Sequence, residues 1–157
     1  MEFIDYYTVL NLPKTARIKE IQQAFDAIIN DPPDPDIFET CARAYATLVN
    51  PYKRARYDKL MGYLIVIQIT PSTYLNAKCF EINSVQPYAS LHSLINKFKS
   101  WIEKKYDYDW YEAQLARYSY HLENKQDQSY LLLRFPSQSS MESFEKYLVS
   151  NKFVKNN

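Results

Sequence analysis

Asp5-Tyr6-Tyr7-Thr8-Val9-Leu10 opens the segment that decides the fold of this chain, and Tyr45-Ala46-Thr47-Leu48-Val49-Asn50-Pro51-Tyr52-Lys53-Arg54-Ala55-Arg56-Tyr57-Asp58 closes it. Between them, apolar residues recur at helical spacing. Ile18, Ile21, Phe25 and Ile28 line one face of a helix predicted over residues 16–30. Phe38, Cys41, Tyr45 and Leu48 repeat the pattern over 37–49. Asp36 and Glu39 stand at the N-cap and N3 spacing of a capping box, which predicts where that second helix starts. Asn50 followed by Pro51 is a cap with proline in the first turn, and it opens a short helix through residue 60. The expectation is a pair of antiparallel helices with a leading turn and a short closing helix.

Taken in order, Asp5 to Leu10, Lys14-Thr15-Ala16, Glu20-Ile21, Ala24-Phe25, Ala44-Tyr45 with Leu48, and Lys53-Arg54-Ala55-Arg56-Tyr57-Asp58 resemble a J-domain, the module of DnaJ-type co-chaperones. The resemblance covers a little over a third of the chain and implies a J-like helical fold there. In that family a His-Pro-Asp loop between the long helices contacts an ATP-driven DnaK-class chaperone. Basic residues on the preceding helix meet the chaperone's acidic surface.

This chain carries Asp31-Pro32-Pro33-Asp34-Pro35-Asp36 at that place. Counted from Phe25, Pro32-Pro33-Asp34 and Asp34-Pro35-Asp36 are the best-placed counterparts. Each is off by one position, and neither has a histidine. Gln22, Gln23 and Asp26 occupy the outward face where the family tends to place lysine and arginine, and the loop itself is shortened. These departures remove the attraction on which recruitment would rest. Pro33, Asp34 and Asp36 are therefore candidate partner contacts of a degenerate J-like module. A plainer origin competes with that role, because prolines end helices and aspartates cap them. Three aspartates broken by prolines do not make a calcium loop.

After Gly62 the period changes. Tyr63-Leu64-Ile65-Val66-Ile67-Gln68-Ile69-Thr70 is strand-like, with residues 77–83 as its hairpin partner across a turn at Pro71-Ser72-Thr73 and Asn76. Leu91, Leu94, Ile95, Phe98, Trp101 and Ile102 mark a helix over 91–106. Residues 114–123 and 129–135 read as a second hairpin turned at 124–127. A last helix is expected over 139–149, with Ser139 and Glu142 at capping-box spacing. The fold class is α+β: a J-like helical domain over 1–61, then a small β-β-α-β-β-α domain over 62–157. Its four-stranded antiparallel sheet carries both helices on one face. Alternating rings and aspartates at Tyr106, Tyr108, Trp110 and Tyr111 form a second candidate recognition surface.

Composition closes off other classes. The single glycine, Gly62, excludes Gly-rich phosphate loops and dinucleotide fingerprints. A net charge of +1 gives no global attraction to nucleic acid or an anionic membrane. Fifteen tyrosines and eight phenylalanines supply rings for a compact core and for a partner surface. Cys41 and Cys79 lie in apolar segments and are expected to be buried reduced thiols. His92 and His121 have no spacing to a nucleophile or to one another, so neither catalysis nor zinc is expected, and no cofactor is implied. The acidic start lacks the basic and apolar runs of a signal peptide, and the longest apolar run is too short to span a bilayer as a helix.

The reading is a cytoplasmic, non-enzymatic adaptor that works by protein–protein contact. It is similar in kind to the inactive J-like subunits that pair with a true J-protein in the mitochondrial import motor. Its partner would be another protein, a J-protein or a DnaK-class chaperone among them, with no nucleic acid and no membrane insertion. Two alternatives stand beside it. One is a working co-chaperone of a DnaK-class chaperone, with Asp34 or Asp36 supplying the acidic contact. The other is a small bacterial effector using the fold for an unrelated target, delivered into a host cell.

Overall fold

In the computed structural model, residues 5–73 and 76–155 are described. The acidic start at residues 1–4, on which the leader reading rests, lies outside them. The chain divides into two compact units, Met1–Leu60 with Tyr74–Asn76, and Met61–Thr73 with Ala77–Asn157.

The first unit is helical. Helix α1 (Tyr6–Val9) is capped by Asp5, whose carboxylate accepts from the Tyr7 amide. Helix α2 (Ile18–Asn30) and helix α3 (Pro35–Leu48) form the long pair, and α4 (Pro51–Met61) closes the unit. Their shared core is Tyr7, Leu10, Ala16, Ile21, Cys41, Ala44 and Leu48, all buried. Phe25 stacks on Tyr45 at 4.3 Å between ring centres and so zips α2 to α3. Asn50 caps α4 as expected, its Oδ1 accepting from the amides of Tyr52 and Lys53. Asn76 belongs to this unit too. Its amide donates to Asp5 Oδ2 and the Leu12 carbonyl, and its Oδ1 accepts from the Lys14 amide at 2.7 Å.

The start of α3 differs from expectation. Asp34, not Asp36, is the N-cap, and Pro35 takes the first helical turn, where its missing amide costs nothing.

The second unit is a four-stranded sheet with helices against one face. Its elements are β1 (Tyr63–Gln68), β2 (Ala77–Glu81), α5 (Pro87–Tyr106), α6 (Trp110–Leu115), β3 (Ser119–Glu123), β4 (Tyr130–Phe135) and α7 (Gln138–Ser150). A 3-10 turn at Gln126–Gln128 links β3 to β4. The sheet order is β2-β1-β4-β3. Ile65 and Ile67 of β1 and Leu131, Leu133 and Phe135 of β4 share a core with Leu91, Leu94, Phe98 and Ile102 of α5. Phe144 and Leu148 of α7 join the same cluster, so α5 and α7 cover the same face. After α7 the chain returns to the edge of β2, where Lys155 donates to the Glu81 carbonyl and Ile82 bridges Val154.

The α+β class and the four strands match the expectation; the wholly antiparallel pairing does not. β3 and β4 form a hairpin and β4 runs antiparallel to β1, but β1 and β2 are parallel, with Leu64 beside Ala77 and Gln68 beside Glu81. Only residues 69–76 lie between the two strands in sequence, and the parallel register means that the expected hairpin is not formed. Eight residues suffice because the strands are short, although parallel connections are usually a dozen or longer. Helix α6 was also unforeseen. Asp109 and Glu112 form a reciprocal capping box there, and Asp109 Oδ1 accepts from the Glu112 amide at 2.8 Å. At α7 the cap is Ser137, accepting from the Ser140 amide, rather than Ser139.

Gly62 sits at φ 63, where a Cβ would lie 2.4 Å from the Phe135 carbonyl oxygen. Glycine is required there twice over, by the left-handed backbone and by the close approach of β4.

Candidate functional site

Only residues 31–34 separate α2 from α3. The helix-ending proline logic and the capping logic meet in those few residues. Asp31 closes α2, its amide donating to the Ala27 carbonyl. Pro32 is exposed and Pro33 half-buried. Asp34 spends one carboxylate oxygen on the Asp36 amide at 3.1 Å. Asp36 is exposed in the first turn of α3, and its carbonyl accepts from Thr40 Oγ1. The candidates Pro33, Asp34 and Asp36 are thus together at the hairpin tip, with Asp34 already committed to holding α3. Ile29 and Ile37, one on each side of the connector, are more than half exposed, at 51% and 56%. Gln22, Gln23 and Asp26 face outward on α2 together with Lys19 and Glu20, so that face carries one cation against two carboxylates.

The closing signature has a structural office. Arg54 donates from Nε to the Tyr7 hydroxyl at 3.1 Å and from Nη2 to the carbonyls of Lys14 and Ala16, the latter at 2.6 Å. The Tyr7 hydroxyl donates in turn to Asp58, and the Tyr57 hydroxyl accepts from the Tyr6 amide. Tyr6 and Tyr57 stack at 4.8 Å. Burial, followed by the bond to Asp58, raises the Tyr7 phenol to a pKa of about 12. Burial likewise pushes Tyr57 upward. Arg54, Tyr57 and Asp58 thus form a polar clamp that holds α4 to α1, and α4 needs it because it buries no residue of its own. Sequence reasoning matched this signature without finding its role. The signal was the three- and four-residue spacing of Arg54, Tyr57 and Asp58, which puts all three on one side of α4.

The second candidate surface separates on folding. Tyr106 stacks on Tyr108 at 5.9 Å and lies 5.7 Å from Tyr118 and 5.8 Å from Trp101. Trp110 packs edge-on to Phe98 and against Tyr120 at 5.4 Å, with the Lys99 ammonium 5.1 Å from its ring centre. These three rings cover the core of the second unit. Tyr111 alone faces outward, 70% exposed on α6. Burial raises the Tyr118 phenol among them.

The remaining reactive groups are dispersed. Cys41 is buried as expected, whereas Cys79 is only half-buried, because β2 lies at the sheet edge. Cys79, Val66, Leu132 and His121 stand in one row across the sheet, so Cys79 and His121 are three strand spacings apart, about 14 Å. That separation rules out a thiol–imidazole pair. His121 instead bonds Glu123 at 2.8 Å, which holds the Glu123 carboxyl below its usual range, and His92 is exposed on α5. Among the described residues no helix is long and apolar enough to cross a membrane.

Three relatives match the N-terminal region. A protein named "Chaperone protein DnaJ" from Bacteroides thetaiotaomicron is 39% identical over 64 residues, covering 35% of this chain and 16% of the relative. A protein of the same name from Methanosarcina acetivorans is 35% identical over 63 residues, covering 35% and 16%. "Chaperone protein dnaJ A6" from Oryza sativa subsp. japonica is 42% identical over 59 residues, covering 34% and 14%. The chain spans about one sixth of the length of these relatives. No family model matches the chain. The N-terminal region is J-domain-like.

Proposed function

We propose that the first unit is a J-like protein-contact module that engages a partner without driving the ATPase of a DnaK-class chaperone. The reading makes the protein a chaperone-related, non-enzymatic adaptor. The observation that carries it is the connector. Four residues without a histidine join α2 to α3, and Asp34, one of the two candidate aspartates, spends a carboxylate oxygen on capping α3. An outward α2 face with more carboxylates than cations adds to it, since an acidic partner surface would be repelled rather than steered.

The lengths of the three matches support the same reading. The first runs over 64 positions, whereas 35% of 157 residues is about 55, so some positions of the relative have no counterpart in this chain. A shortened connector accounts for such a shortfall.

The test is single-turnover ATP hydrolysis by a DnaK-class chaperone, with and without the full chain. The expected result is no acceleration, by a protein shown to be folded by circular dichroism. Acceleration that disappears in Asp34→Asn or Asp36→Asn would overturn the proposal and make the protein a working co-chaperone.

A further inference from the structure

Helix α4 has two faces of opposite character. At about 100° per residue, Arg54, Tyr57, Asp58 and Met61 fall on one side. There the first three make the clamp described above, and Met61 Sδ accepts from Arg134. Tyr52, Lys53, Arg56, Lys59 and Leu60 fall within a sector of about 120° on the opposite side. All five are exposed, Tyr52 at 89% and Leu60 at 54%.

The outward face is charged in one sense only. The one carboxylate of α4, Asp58, is turned inward to Tyr7. Among the described residues, neither Lys53, Arg56 nor Lys59 has an ion-pair partner, whereas Lys78 and Lys155 are paired with Glu145 and Glu81. Three uncompensated cations therefore stand within about 9 Å along one helix, in a chain whose net charge is only +1. Flanking them are an aromatic ring almost fully exposed and a leucine more than half exposed.

We propose that this face of α4 is a docking surface for an acidic, amphipathic protein segment. Carboxylates of the partner would pair with Lys53, Arg56 and Lys59 while its apolar side chains cover Tyr52 and Leu60. The arrangement fits a peptide better than a polyanion. Three cations supply only a few of the 6–10 or so phosphate contacts that sustain strong duplex binding, and fewer than the roughly 4–8 basic residues of a lipid-binding cluster. The two exposed apolar groups have a use against a peptide that a phosphate backbone would not give them. The proposal rests on reading the first unit as a protein-contact module, and moves the contact from the hairpin tip to α4.

The test uses the full chain and a fluorescein-labelled glutamate/leucine peptide with leucines at i, i+3, i+4 and i+7. A lysine/leucine peptide of the same pattern is the control, and binding is read by anisotropy at low and high salt. The acidic peptide is expected to bind and the basic one not to. Lys53→Gln/Arg56→Gln/Lys59→Gln is expected to weaken binding about tenfold, the sum of three modest exposed ion pairs. Tyr52→Ala should weaken it several-fold, and replacing residues 32–36 by a neutral turn should leave it unchanged. Circular dichroism checks that each variant is folded. Equal binding by the triple variant, or binding lost on replacing the connector, would overturn the assignment to α4. Tighter binding of a single-stranded oligonucleotide or a phosphatidylserine vesicle through the same cations would also overturn it. Stimulation of a DnaK-class ATPase by the wild-type chain would strike down the adaptor reading separately, whatever the peptide does.

Discussion

Tyr7→Phe tests the clamp with little change in volume. The Tyr7 ring is 1% exposed and would keep its place; what leaves is one hydroxyl. That hydroxyl donates to the Asp58 carboxylate and accepts from Arg54 Nε at 3.1 Å. A hydrogen bond to a charged group contributes roughly 1.5–3 kcal/mol, and the variant leaves two half-buried charged groups short of a partner. The expected loss is about 2 kcal/mol, near a thirtyfold change in the folding equilibrium of the first unit.

A pH series gives an independent handle on the same hydroxyl. Its pKa is raised to about 12, mainly by burial and then by Asp58, from an ordinary tyrosine value near 10. The stabilisation is therefore complete below pH 10 and is lost as pH rises through 12. A shift of that size corresponds to at most about 3 kcal/mol, the same order as the mutational loss. Urea unfolding of wild type and Tyr7→Phe should show a constant gap from pH 7 to 10 that closes above it. Amide exchange at Ile21, Ala44 and Leu48 would localise the effect to the first unit. A gap under about 0.5 kcal/mol, as for an ordinary surface substitution, or one that does not narrow above pH 10, would refute the clamp.

Gly62→Ala should destabilise the second unit by more than about 2 kcal/mol, because left-handed strain is joined by the approach to the Phe135 carbonyl. Thermal melting of that variant measures it, and an unchanged midpoint would mean that β1 can enter the sheet differently. Asp107 and Lys152 hold left-handed backbone at φ 55 and 57, so Asp107→Gly and Lys152→Gly should each raise stability by up to about 1 kcal/mol. A loss in either variant would show that side-chain contacts outweigh the backbone relief. Asp34→Ala should cost about 1 kcal/mol by uncapping α3, seen as faster amide exchange in its first turn. Unchanged exchange there would free the Asp34 carboxylate for a partner.

The two long helices of the first unit, α2 and α3, were legible because each carries a stripe at a period near 3.6 and prolines lie between them. The exact caps were less so. Asp34-Pro35 and Asp36 compete on paper, and only the proline's preference for the first turn separates them. The sheet was legible in its strands and not in its pairing. β1 and β2 lie one short connector apart, which favours a hairpin, but the parallel register aligns Ile65 and Ile67 with Lys78 and Phe80 across neighbouring strands. That choice is made by long-range packing, to which a local pattern is blind. Helix α6 was hidden for a different reason: the rings of residues 106–111 drew the reading towards a surface, while Asp109 and Glu112 carried a capping box in plain view. The same rings illustrate how composition misleads about sites, because Tyr106, Tyr108 and Trp110 pack on the core and Tyr111 alone is presented outward.

The energetics of the first unit explain how a J-like scaffold can tolerate change in the connector between its long helices. The core residues Ile21, Cys41, Ala44 and Leu48, the Phe25–Tyr45 stack and the Arg54–Tyr7–Asp58 clamp all lie outside residues 31–34. Among the described residues, the connector's side-chain bond to α3 is a cap, and asparagine, serine or threonine would serve there as well as aspartate. A change of sequence in the connector therefore costs the fold little, whereas a change at Tyr7 or Arg54 costs it much. The 35–42% identity to longer chaperone proteins lies in the N-terminal region, where these helices are. Such identity is evidence about the scaffold. Among the residues this scaffold leaves facing outward are an acidic hairpin tip and a basic face on α4 that has no ion-pair partner among the described residues.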